Sequence, residues 1–255
     1  MIPLSDENLY LRPPAMTLLL LGAMFAVWIL VEGAGFNTYT MLAAVCNYGM
    51  VPGEITHMAP LGYALPLGQG LACVIDNSKI NIFTPLLSIF LHGGWLHILG
   101  NAVFFWVFAR AVEDTMGPGR FLVFFLTCGL IAAGTQIASD PASPVPTVGA
   151  SGAISGVMGA YLLLYPRVRI HMLFIFIIFF KVFRIPAWIV LIWWFAVQLL
   201  QALPELSSSG PNVSGGVAVW AHVGGFLAGI LLIRVFTKPE LMDRRAAMMH
   251  GYQPA

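Results

Sequence analysis

Gly149-Ala150-Ser151-Gly152-Ala153-Ile154-Ser155-Gly156 decides how this chain reads. The octet follows a proline-rich loop (Pro141, Pro144, Pro146) and opens an apolar run that stops at Pro166. Ser151 thus stands at the start of a helix, where backbone N–H groups are unpaired and the helix dipole presents its positive end. Flanking glycines let other backbone come close. Two readings follow. The octet is either a small-residue face for tight helix packing, or it carries a serine nucleophile with half of an oxyanion site already in place.

The rest of the composition sets the solvent around that helix. The chain has 255 residues, of which 9% are charged and 59% hydrophobic, with a mean hydropathy of +0.85. A soluble domain carries about 25% charged residues, so the fold class expected is all-α, a polytopic bundle in a lipid bilayer. Net charge is +1, and no nucleic-acid partner is implied. Six apolar runs read as spans, at 14–33, 93–111, 119–138, 150–165, 186–203 and 218–236. The first follows Asp6, Glu7 and Arg12 and is long enough to cross, so it reads as a span rather than a cleaved leader. Ile170–Phe180 is too short to cross and reads as interfacial or re-entrant.

Charge orients the bundle. With the N-terminus cytoplasmic, Arg12, Arg110, Arg120, Arg167, Arg169, Lys181, Arg184, Arg234, Lys238, Arg244 and Arg245 all fall inside, and Lys79 alone falls outside. Residues 1–13 and 237–255 then form cytoplasmic termini around a 14–236 membrane core, and the octet opens outward. From Ser151 to Tyr165 the fourth run is only about 22 Å of helix, against a hydrocarbon core of ~30 Å. Ser151 is therefore expected below the outer surface. A polar helix end at that depth must line a wet cavity or be buried in protein, which favours a site over a packing face. Residues 34–90 make a long outer loop rich in Gly, Pro and Leu, expected to fold back onto the bundle. His57 in it reads as a surface residue. Cys46 and Cys73 share that loop and either pair or stay free.

Two further stretches lie at the depth of Ser151. His97 and Asn101, four apart, share one face of the second span. Unpaired imidazole and amide groups are costly in hydrocarbon, so both must face inward, as interhelical glue or as donors to an oxyanion. His92 lies a turn further out and reads as a loop tie. A metal site is the rival use of these histidines. However, Glu54 and Asp76 lie in the loop and Glu113 and Asp114 at the opposite end, so no metal is expected. Arg110, Glu113 and Asp114 before Gly117-Pro118-Gly119 read as a cap and ion pair, and Gln136 as a loop anchor. In the last span, Gly225 and Gly229 form a GxxxG pair whose expected partner is Gly152, Ser155, Gly156 and Gly159. That packing would set His222, one turn above Gly225, level with Ser151 as a general base. No buried carboxylate is available as a third member.

The pattern HxxxxHxxxN at His92, His97 and Asn101, GxSG at Gly149–Gly152 and AHxxGxxxG at Ala221–Gly229, in this order, resembles the rhomboid family of intramembrane serine proteases. The resemblance implies a six-helix rhomboid-like bundle with a large outer first loop. It also implies Ser151 as nucleophile and His222 as general base and acid. His97, Asn101 and the Ser151 N–H would stabilise the oxyanion. His92, Gly149, Gly152, Gly225, Gly229 and Glu113 would have structural roles. The implied reaction is hydrolysis of peptide bonds in or near transmembrane segments of other membrane proteins, without cofactor, at the cell (inner) membrane. Ser155 departs from members that carry an aromatic stacked on the catalytic histidine, and leaves Trp220 and Tyr161 as candidates to orient His222. Residues 204–217 would be a lid and the fifth span (Trp188, Trp193, Trp194, Phe195) a lateral gate. The competing readings are a catalytically silent relative that binds client helices, and a transporter, for which no internal repeat is found.

Overall fold

Apolar composition dictates where the chain must coil. In the computed structural model, which describes residues 1–68, 70–176, 179–207 and 218–251, six apolar helices form within a few residues of the expected runs. They are α1 (Ala15–Leu30), α3 (Trp95–Met116), α4 (Pro118–Ser139), α5 (Ser151–Leu164), α6 (Ala187–Ser207) and α7 (Val219–Phe236), with a short α2 (Thr38–Tyr48) between the first two and a terminal α8 (Pro239–Gly251). By length and apolarity alone, three are able to cross a membrane, namely α3, α4 and α7; α1, α5 and α6 carry shorter apolar stretches.

α5 is the axis of the molecule. Every residue from Gly152 to Tyr161 is buried, the signature of a helix surrounded on all sides. Glycines make this possible. A methyl group at Gly225 would fall on the Gly152 carbonyl oxygen, one at Gly229 on the Gly156 carbonyl, and one at Gly159 on the Phe226 carbonyl. On the other flank, a Cβ on Gly152 would lie 2.6 Å from Ala132 Cβ of α4. The α7 GxxxG pair thus sits on the α5 glycines, with backbone against backbone.

At the α3–α4 turn, Gly117 takes φ +81°, and Pro118 starts α4 where its missing N–H costs nothing. Buried Glu113 accepts from Met16 N, Thr17 N and Thr17 Oγ1 at 2.9, 2.8 and 2.7 Å. It therefore caps the N-terminus of α1 from another helix. Asp114 pairs with Arg12 at 3.5 Å. Arg110 pairs with Asp6 at 3.6 Å and lies over the rings of Tyr10 and Trp106.

Two sheets correct the all-α expectation. β1 (Ile2–Asp6), β4 (Arg169–Phe176) and β5 (Phe179–Pro186) form an antiparallel sheet in the order β1-β4-β5, with Asp6 opposite Ile170 and Arg169 opposite Pro186. The segment expected to be interfacial or re-entrant, 170–180, thus supplies β4 and the start of β5. Its β-branched and aromatic residues alternate, with Ile170 and Met172 buried against the core and His171 on the other face. His171 bonds Ser5 Oγ and Glu7 Oε1, each at 3.0 Å, so the first residues are structured rather than a free tail. The second sheet is the hairpin of β2 (Ala64–Gly68) and β3 (Leu71–Val74), tied to α2 by a Cys46–Cys73 disulfide with a Cα–Cα distance of 5.3 Å. That bond answers the question the cysteine spacing left open. The expected lid lies outside the described residues from Ser208 to Val217; its first residues, Pro204–Ser207, continue α6.

Candidate active site

Ser151 is the first residue of α5, preceded by Ala150 in helical backbone geometry. The loop before it is pinned twice. Met50 and Thr147 exchange backbone hydrogen bonds at 3.0 and 2.8 Å, and Gly149 N donates to Ser88 O at 2.8 Å. Gly149 sits at φ +120°, and a Cβ there would lie 2.6 Å from His97 Nε2. The glycine before the serine is thus required twice, by its backbone angle and by the imidazole lying against it.

Across the α5–α7 contact, His222 Nε2 is 2.7 Å from Ser151 Oγ. Close glycine packing is what closes that distance, because Gly225 and Gly229 of α7 each rest on an α5 carbonyl. His222 is buried, and its second nitrogen, Nδ1, is 2.7 Å from Gln198 Oε1 on α6. Trp194, one turn before Gln198, lies against the ring with centroids 5.7 Å apart. Gln136 Oε1 receives Ala221 N at 3.2 Å and so caps the start of α7.

His97 and Asn101 face the same space from α3. Gly93 N donates to His97 Nδ1 at 3.2 Å, which makes Nδ1 the acceptor and leaves Nε2 as the N–H nitrogen beside Gly149. Among the described residues Asn101 Nδ2 is buried without a hydrogen-bond partner, and it lies 3.5 Å from the position a Gly149 Cβ would take. Two donors therefore meet beside Gly149, two residues before the serine, and a buried donor left unmade costs about 1–3 kcal/mol. His92 is fully buried behind them. Its ring centroid is 5.2 Å from that of His97, its Nδ1 is 3.2 Å from Phe90 O, and its own N–H donates to Glu32 Oε1 at 2.8 Å.

The Rhomboid domain family model matches residues 78–239, which contain all of these groups except Glu32 and Met50. The chain belongs to the rhomboid family. Among its relatives, Rhomboid protease GluP of Bacillus subtilis (strain 168) is 44% identical over 77 residues, covering 30% of this chain and 15% of that protein. The putative rhomboid protease YdcA of the same organism is 40% identical over 81 residues, 32% of this chain and 39% of that one. The human mitochondrial presenilin-associated rhomboid-like protein is 27% identical over 161 residues, 60% of this chain and 38% of that one. The chain thus matches well under half the length of these relatives. Family and apolar helices together make this rhomboid a membrane protein.

The structure of this rhomboid brings Ser151, His222, His97, Asn101, Gly149, Gly152, Gly225 and Gly229 to one place, and sets Glu113 apart, at the start of α1. It does not place Tyr161 near His222. The Tyr161 hydroxyl donates to Asp6 Oδ2 at 2.8 Å and accepts from Asn8 Nδ2 at 2.7 Å, and Trp194 and Gln198 hold the ring in place of Trp220 or Tyr161. Ser155 turns back to the Ser151 carbonyl at 2.6 Å. Gln198 and Glu32 were missed from sequence. The signal for Gln198 was an amide in mid-span, which must find a partner inside the bundle.

Proposed function

We propose that this rhomboid is an intramembrane serine endopeptidase that hydrolyses peptide bonds in or near transmembrane segments of other membrane proteins. The observation that carries this reading is the 2.7 Å contact between Ser151 Oγ and His222 Nε2, beside a buried amide donor with no partner at Asn101. A neutral imidazole at that distance takes the hydroxyl proton as the oxygen attacks the scissile carbonyl. Charge then gathers on the former carbonyl oxygen, where Asn101 Nδ2–H, His97 Nε2–H and the Ser151 N–H converge. His222 returns the proton to the leaving amine, freeing one fragment and leaving an acyl group on Ser151. Water, deprotonated by the same imidazole, releases the second fragment and restores the serine.

In this reading α1, α3, α4, α5, α6 and α7 all span a cell membrane, with residues 1–13 and 237–255 cytoplasmic and 14–236 forming the core. The positive charge at one end supports that orientation. So does the disulfide in the 31–94 segment, since such bonds persist in oxidising compartments. Short α5 then starts below the outer surface, and the site opens to the periplasmic side. α6 serves as a lateral gate for the substrate helix. An active-site serine probe tests the chemistry. A fluorophosphonate is expected to label the wild type and not Ser151→Ala; equal labelling of both would remove Ser151 from the mechanism.

A further inference from the structure

His222 must present a bare Nε2 to the serine, and a neutral imidazole carries its single proton on one nitrogen or the other. If Nδ1 is bare, Nε2 holds the proton and the ring is useless as a base toward Ser151. Some neighbour must therefore accept a hydrogen bond from Nδ1. Among the described residues no carboxylate bonds to the ring; it is faced by Ser151 of α5, by Trp194 and Gln198 of α6 and by the His97 imidazole of α3. Gln198 Oε1 lies 2.7 Å from Nδ1, and the glutamine is itself buried, the first polar residue along α6.

We propose that Gln198 is the positioning residue of this site: its amide oxygen holds the proton on His222 Nδ1, and so keeps Nε2 free to accept from Ser151. This rests on the protease reading above. The amide suits the place. It accepts a hydrogen bond without charge, so it avoids the desolvation cost of a carboxylate in the same position. It also cannot take the proton itself. When Nε2 gains the serine proton, Nδ1–H stays where it was and still donates to Oε1, and the extra proton has one exit, to the leaving amine. Trp194 fixes the plane of the ring, and Gln198 fixes which nitrogen is bare. Both sit on α6, so the seat of α6 against α7 sets the state of the base.

The test uses the full chain in proteoliposomes with a single-span reporter substrate, across pH, on wild type, Gln198→Leu and Gln198→Glu. Leucine keeps the bulk and deletes the acceptor. It is expected to lower kcat roughly tenfold or more with KM little changed, and to slow fluorophosphonate labelling in step. Glutamate keeps an acceptor and adds charge. It is expected to restore turnover and to move the acidic limb of the pH profile up by about one unit or more, because a carboxylate beside Nδ1 favours the imidazolium. Wild-type kcat and pH profile in Gln198→Leu would overturn the proposal while leaving the protease reading intact. So would equal losses in both variants with the acidic limb unmoved, which would reduce Gln198 to packing. A wild type that neither labels nor cleaves would overturn the protease reading itself, and this proposal with it.

Discussion

Asn101 is the residue whose environment asks most of it. Among the described residues its Nδ2 is buried with no partner, an arrangement that costs stability in the resting protein and that the proposed mechanism uses only when an oxyanion arrives. Asn101→Ala should therefore lower kcat by roughly a hundredfold, the loss typical of one oxyanion donor, and should leave the fold no less stable, since a buried unmade donor is removed. Kinetics beside thermal unfolding separate the two effects. A full-speed Asn101→Ala would reassign that amide to helix packing. At this scale the sequence was informative wherever polarity met apolar surroundings: Ser151, His97, Asn101 and His222 stood out because each is costly in hydrocarbon. Gln198 obeys the same rule and was passed over among the aromatic residues of α6. Tyr161 reads from sequence as a candidate to orient His222, whereas its hydroxyl bonds Asp6 and Asn8, over 150 residues away in sequence.

At the scale of the element, the account depends on α5 and α7 meeting backbone to backbone. Gly229 rests on the Gly156 carbonyl, so Gly229→Val has nowhere to put its side chain. It should destabilise the protein by about 1–3 kcal/mol and draw His222 away from Ser151, lowering activity more than stability alone explains. Gly134 of α4 has no neighbour within 4 Å of a built Cβ, and Gly134→Ala should be neutral or slightly stabilising. Unfolding of the two variants in detergent decides; equal effects would mean that the glycine seam is not what sets the contact. The helices were readable because hydropathy and length mark them directly. β4 was not, since an apolar run of eleven residues looks the same whether it lies in an interface or alternates across a sheet. One of its two partner strands, β1, is at the far end of the chain, where nothing local announces a strand.

For the whole molecule, the same few contacts knit distant parts together. β1 closes onto β4, Glu113 caps α1, the disulfide ties α2 to the β2–β3 hairpin, and the Pro-rich loop bonds to Met50. At the centre an imidazole is held on a serine by packed glycines. Such packing suits a reaction that needs fixed geometry in a low-dielectric setting. The family places the molecule in the membrane; chemistry there is what remains to be measured. The most direct measurement is cleavage of a single-span reporter protein by the purified chain in proteoliposomes, with wild type, Ser151→Ala and His222→Ala side by side. Wild type should cut the reporter at one site, and both variants should leave it whole while binding it. Cleavage that persists in either variant, or a wild type that binds the reporter and never cuts it, would contradict the account.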